Sequence, residues 1–248
     1  MTRDEIGAER PVSLLKAALI VATVVVVGVA ATVFLVRQVD NVRQAAMRST
    51  DAGRLKQFAW AAHCYADTNG DSLLGPYAQV SPGVLNTELS FRVGLLPYME
   101  QHKLHGVIDL SQPWDSPTNS PATSTALRNL QSPDTLDRTK PDTPYRVFYG
   151  GGALFEADGK PVKLRDIPDG TSNTILFVHA TETVPWAKPQ EFAYTPTTPL
   201  PPLGSPGLGK GFNVAFADGS VRFLRHTIAG ADLRSLIEKA DGRGADIE

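Results

Sequence analysis

Cysteine is almost missing from this chain: Cys64 is the only one among 248 residues. No internal disulfide can staple the fold, and cysteine usage says nothing about redox compartment. An excess of positive charge is missing too. The formal net charge is -2 and charged residues make up 20% of the chain, so the basic face that a phosphate backbone requires is absent and no nucleic-acid partner is expected. There is no Gly-x-Ser-x-Gly elbow, no His-Glu-x-x-His pair and no phosphate-binding glycine loop. No internal repeat is visible. On these grounds no catalytic residue is assigned, no cofactor is expected, and the chain is not expected to be an enzyme.

What the chain has is a long apolar run. Ala17 to Val36 reads AALIVATVVVVGVAATVFLV, twenty residues without a charge. At about 1.5 Å per residue such a helix crosses roughly 30 Å, the hydrocarbon thickness of a bilayer. The stretch after it, Val36-Arg-Gln-Val-Asp40, has no small-x-small exit for a signal peptidase, so an uncleaved anchor is expected. Arg3, Arg10 and Lys16 precede the run, and Arg37, Arg43, Arg48, Arg54 and Lys56 follow it. Charge counting alone would therefore leave the C-terminal part in the cytoplasm.

Beyond the run, Val39, Val42, Ala46, Leu55, Phe58, Ala59, Ala62 and Tyr65 recur at helical spacing, with Arg43, Arg48, Arg54 and Lys56 largely off that stripe. No proline occurs between Val12 and Pro76, so one helix can run from about Ser13 to Tyr65, weakest at Gly53 and stopped by Asn69-Gly70. With 19 prolines and 21 glycines, the remainder is expected to be loop-rich. A short helix is expected within Leu89–Met99, and an irregular crossing from Ser111 to Pro144. Strands are expected at 145–149, 153–155, 161–164 and 174–178, with a turn at Ala157-Asp-Gly-Lys160. A hairpin follows at Phe212–Leu224, with Asp218-Gly219 as a two-residue loop that pairs Phe216 with Val221 and Val214 with Phe223. An amphipathic helix through Leu233, Leu236, Ile237 and Ala240 closes the chain at Gly242. The expected organisation is a tail at 1–16, a membrane helix at 17–36, its continuation at 37–66 and an ectodomain at 67–248. The fold class is α+β, a long N-terminal helix with an antiparallel sheet and a short C-terminal helix.

Three groups of polar or aromatic residues invite a functional reading. Asp67, Asn69 and Asp71 space oxygens at positions one, three and five, as a calcium loop does, but Ser72 and Ala78 replace that loop's glycine and glutamate. A helix-terminating turn explains the same residues. His102 and His105 lack a third ligand at matching spacing. Trp114, Trp186 and Tyr194 lie in proline-rich loops and are the candidate aromatic surface for a glycan or peptide, against the alternative that they pin those loops to the core. Asp169-Gly-Thr-Ser-Asn173 reads as a turn, as does Asp218-Gly219.

An ordered set of segments carries a family resemblance. Leu55-Lys-Gln57, Ala62-His-Cys-Tyr65, Arg92-Val-Gly-Leu-Leu-Pro-Tyr-Met-Glu-Gln101 and Gln112-Pro-Trp-Asp-Ser116 come first. Asp169-Gly-Thr-Ser-Asn-Thr-Ile175, Val184-Pro-Trp-Ala-Lys-Pro189 and Phe212–Leu224 complete it. Together they resemble the prepilin-like proteins with an H-X9-DG domain, the planctomycete-type domain of unknown function 1559. The resemblance implies a pilin-like architecture, its long N-terminal helix packed on a sheet that faces away from the cytoplasm. It carries over no catalytic residue. The chain departs from the family at Pro11, where a glycine should precede the prepilin cut, and at Lys16, where a glutamate is usual. Leu208 stands where the named histidine should be, and Gln131-Ser-Pro-Asp134 lacks the family's cysteine. The expected protein is a single-pass anchor in the inner membrane with an extracytoplasmic domain of structural or interaction role. Its partners would be the membrane and other envelope proteins or glycans. An anchored ligand- or glycan-binding module is the alternative.

Overall fold

The computed structural model describes residues 14–81 and 83–243, and of Leu14 and Leu15 the backbone alone. The departure at Pro11 and the charges at Arg3 and Arg10 lie outside the described residues. One helix, α1 (Leu14–Thr68), holds the apolar run and continues beyond it. It extends three residues past Tyr65, because Thr68 Oγ1 and Asn69 Nδ2 donate to the last carbonyls before Gly70 and Asp71 turn left-handed at φ 67° and 68°. Gly53 stays helical. The chain divides into two compact units, Met1–Arg43 and Gln44–Glu248.

In the first unit no described residue covers the helix. Large apolar side chains from Leu19 to Val42 are between 47% and 69% exposed. This is the one helix among the described residues long and apolar enough to cross a membrane.

The second unit is built on a four-stranded antiparallel sheet in the order β3-β5-β7-β8, formed by β3 (Asp142–Arg146), β5 (Ile175–Pro185), β7 (Gly211–Phe216) and β8 (Val221–Arg225). Its central strand β7 is buried at every position, because both faces are covered. Alternation sends Asn213, Ala215 and Ala217 toward α1, where Leu55, Phe58, Ala59, Ala62 and Ala66 pack with Tyr145, Phe91 and Phe177. Phe212, Val214 and Phe216 face the other way, against Leu233, Leu236 and Ile237 of the C-terminal helix α5 (Gly230–Ile237). The fold is α+β, as expected.

Several expected elements differ. A hairpin absent from the sequence reading, β1 (Tyr77–Ser81) with β2 (Val84–Ser90), precedes α2 (Phe91–Leu95) and the 3-10 turn Leu96–Met99. Residues 153–155 and 161–164 are not strands. They make only isolated bridges, such as Tyr149 with Phe155 and Ser72 with Lys163: Gly150, Gly151 and Gly152 take positive φ and break the chain before 153–155, while Gly159 and the 3-10 turn Leu164–Asp166 bound 161–164. Instead β4 (Phe148–Tyr149) pairs in parallel with β6 (Phe192–Ala193). Two single-turn helices, α3 (His102–His105) and α4 (Ser120–Thr123), lie in the long connection.

The Asp-Gly hairpin also has a different register. Ala215 pairs with Val221, and Asn213 with Phe223. Phe216 N donates to Ser220 O at 2.8 Å, while Gly219 N donates to Phe216 O at 2.9 Å. The loop therefore has three residues, a tight turn followed by a glycine bulge in which Gly219 alone needs positive φ, at 81°. The single-residue shift leaves Phe216 with Val214 on the α5 face but turns β8 over: Val221 and Phe223 come to the α1 side, with Arg48 over the Phe223 ring at 5.0 Å, and the Arg222 guanidinium stacks on Phe216 at 4.5 Å.

Candidate functional site

The buried polar groups come first, because an enclosed charge needs an explanation. Asp51 of α1 is fully buried and meets three side chains from the sheet. Tyr145 OH donates to its Oδ1 at 2.8 Å, His179 Nδ1 lies 2.7 Å from the same oxygen, and Asn213 Nδ2 donates to Oδ2 at 2.8 Å. Burial and the adjacent carboxylate push the Tyr145 phenol well above its usual pKa, so it stays a donor. A second lock joins Arg92 to Glu191 at 2.8 Å, both side chains at most 1% exposed. The Arg92 guanidinium also donates to Tyr145 O and Ser90 Oγ. Desolvation raises the Glu191 carboxyl and lowers Arg92, each partly offset by the other. Neither cluster opens to solvent, and each ties a separate segment to the sheet. Neither was found from sequence, since Asp51 and Arg92 look like ordinary charges on helices.

The sequence-derived candidates fall elsewhere. Trp186 is completely buried and donates from Nε1 to Thr125 O at 2.9 Å. Tyr194 is buried too, its hydroxyl bonded to Glu238 at 2.5 Å, and Trp114 is half-buried against the core. The three do not form an exposed aromatic surface. Each pins a proline-rich loop, because such loops lack ladder bonds of their own to hold them. Asp67, Asn69 and Asp71 sit at the α1 terminus, with the Asn69 amide spent on Tyr65 O and Thr68 Oγ1. Among the described residues no three His, Cys, Asp or Glu side chains converge as a metal site. His102 and His105 share the single turn of α3, where burial and the neighbouring imidazole depress the His105 pKa. Asp169 holds the C-terminal segment, accepting from Asp241 N at 2.7 Å and Gly242 N at 3.0 Å. Asp134 accepts from Gly207 N at 3.0 Å and also from Ser132 Oγ. Asp218 Oδ1 accepts from Ser220 N at 2.8 Å, closing the turn locally.

The open surface lies along the outer side of α1. Trp60, 70% exposed, is the one tryptophan that reaches solvent this fully. On one side of it a groove of about 480 Å³ is lined by Lys56, His63, Cys64, Asp67 and the Asp218–Ser220 turn. On the other a groove of about 510 Å³ is lined by Gly53, Lys56, Gln57, Tyr98, Met99, Glu100 and Asn129. Trp60 lies off the apolar stripe of α1, and a large aromatic on that otherwise polar side is the sequence signal that marks it.

The described residues thus combine a long, uncovered apolar helix with an α+β body that carries interior polar locks and one exposed tryptophan. The chain belongs to the family described as "Protein of unknown function (DUF1559)", whose model matches residues 40–202. No curated protein and no solved structure matches the chain.

Proposed function

We propose that the chain is a single-pass protein of the inner membrane, anchored by residues 17–36, with a pilin-like extracytoplasmic domain of structural or interaction role and no catalysis. The observation that carries this reading is the belt of uncovered apolar side chains from Leu19 to Val42. Valine, leucine and phenylalanine exposed at this density are unfavourable in water by roughly 25 cal/mol per Å², so something apolar must cover them, and twenty uncharged residues match a bilayer. The pilin-like comparison rests on one helix that is apolar at its start and sheet-packed at its end. Lys16 sets the chain apart from filament-forming pilins, because a cation there would repel a neighbouring N-terminal amine. The two interior locks support a scaffold role, since their bonds join separate segments, although the buried His179 Nε2 has no partner. The partners in this reading are the membrane and, outside it, envelope proteins or glycans. Alkaline extraction of membranes tests the anchor: the chain should stay with the lipid pellet, and its release into the supernatant would refute the reading. Protease added to spheroplasts should digest the body, and protection of the body would reverse the orientation.

A further inference from the structure

We infer that the groove between Trp60 and Tyr98 is a carbohydrate-binding site, which takes a neutral pyranose residue of a glycan chain. The inference rests on the interaction role proposed above but not on the anchor. Trp60 projects from α1 at 70% exposure, although truncating it would leave the core of the unit intact. Tyr98 lines the same groove, held by a hydroxyl bond to Thr68 Oγ1 at 2.7 Å and an edge-on contact with Tyr65 at 5.8 Å. Two aromatic side chains lining a groove of 510 Å³ offer room for one or two sugar rings.

The polar lining favours a sugar over other occupants. Gln57 and Asn129 carry amides, Glu100 a carboxylate and Lys56 an ammonium. Hydroxyl groups both donate and accept, so they can satisfy all of these at once. The apolar C–H face of a pyranose can meanwhile cover the tryptophan ring. An apolar peptide helix would leave the amides and carboxylate unpaired, at a desolvation cost. Lys56 and Glu100 cancel in charge, which favours a neutral ligand over an anion. Glu100 supplies a separate indication. It occupies the left-handed region at φ 61°, closing the 3-10 turn Leu96–Met99. Glycine adopts that conformation without strain, whereas a residue with a Cβ does not. A strained side chain placed at the rim of a groove is the pattern expected of a binding residue.

The test is calorimetric titration of the full-length protein in a zwitterionic detergent, since sugar-headed detergents would compete. The probes are chitotetraose, cellotetraose and maltotetraose. At least one should bind with a Kd of about 1 mM or tighter. Trp60→Ala and Glu100→Gly should each weaken that binding at least about tenfold. Neither should lower the melting temperature, and Glu100→Gly should raise it. Lack of binding by all three probes at about 10 mM would overturn the inference, as would unchanged affinity in Trp60→Ala. Sedimentation provides a further check: if Trp60→Ala abolishes self-association without affecting sugar binding, the groove is a protein interface and the inference fails. Alkaline extraction reads the anchor independently of all these outcomes.

Discussion

Two stretches of the same helix have different surroundings. Residues 17–36 are apolar on every side and exposed throughout. Residues 51–66 are apolar along one stripe, and that stripe is where Leu55, Phe58, Ala59, Ala62 and Ala66 meet the sheet. Both are uninterrupted helix, so backbone propensity does not distinguish them. The angular spread of apolar side chains does. A stripe about 100° wide suits one protein surface, whereas apolarity all round calls for a solvent of the same kind. The outer face of the second stretch is polar except at Trp60, which is why that residue stands out as a surface feature.

The largest effect is expected in the first stretch. Val26→Lys with Val27→Lys places two charges mid-helix, at about 3 kcal/mol each for insertion. Alkaline extraction should then release the protein, while the melting temperature of the body stays unchanged. In the second stretch Phe58→Ala empties the ring that Phe91, Tyr145 and Phe177 surround, at a cost of about 3–5 kcal/mol in chemical denaturation. Membrane association should survive that change. Asp51→Ala strips the acceptor from Tyr145, His179 and Asn213 and should cost about 2–4 kcal/mol by the same measurement. At the Asp-Gly turn, Gly219→Val forces a branched residue to φ 81° and should cost about 1–3 kcal/mol, whereas Asp218→Asn should be nearly silent. The smallest effect is expected with pH. Burial and the Glu238 bond push Tyr194 up to about 12, above its usual value of about 10 in the unfolded chain. Its contribution is fully present below about pH 10 and disappears as pH rises toward 12. The loss of melting temperature across that window should be shallower in Tyr194→Phe.

Most of the helical plan was legible because it depends on local pattern. The proline-free stretch, the unbroken apolar run and the Asn69-Gly70 stop all lie within a few residues of what they determine. The hairpin at Asp218-Gly219 was legible as a hairpin but not in its register. A two-residue and a three-residue loop share the same dipeptide, and the choice is fixed by Ala217 N donating to Thr174 O and Asp218 N to Thr171 O, both on the neighbouring chain segment. The β1–β2 hairpin was missed although Ser81-Pro82-Gly83 is a turn sequence, because its strands are short and mixed in polarity. The candidate site was least legible. Exposure of an aromatic depends on which loops cross it: Trp186 and Trp114 are covered by distant segments, and Trp60 is not. The locks at Asp51 and Arg92 join residues dozens of positions apart, which no local pattern records.

The proposal that lipid surrounds residues 17–36 while the sheet covers the stripe in 51–66 can be measured directly. A lipid-soluble carbene precursor would be activated in native membranes and its adducts mapped by peptide mass spectrometry. Labelling should fall within residues 17–36 and be absent from 51–66. Labelling absent from 17–36, or present on the buried stripe at Leu55, Phe58 and Ala62, would contradict it.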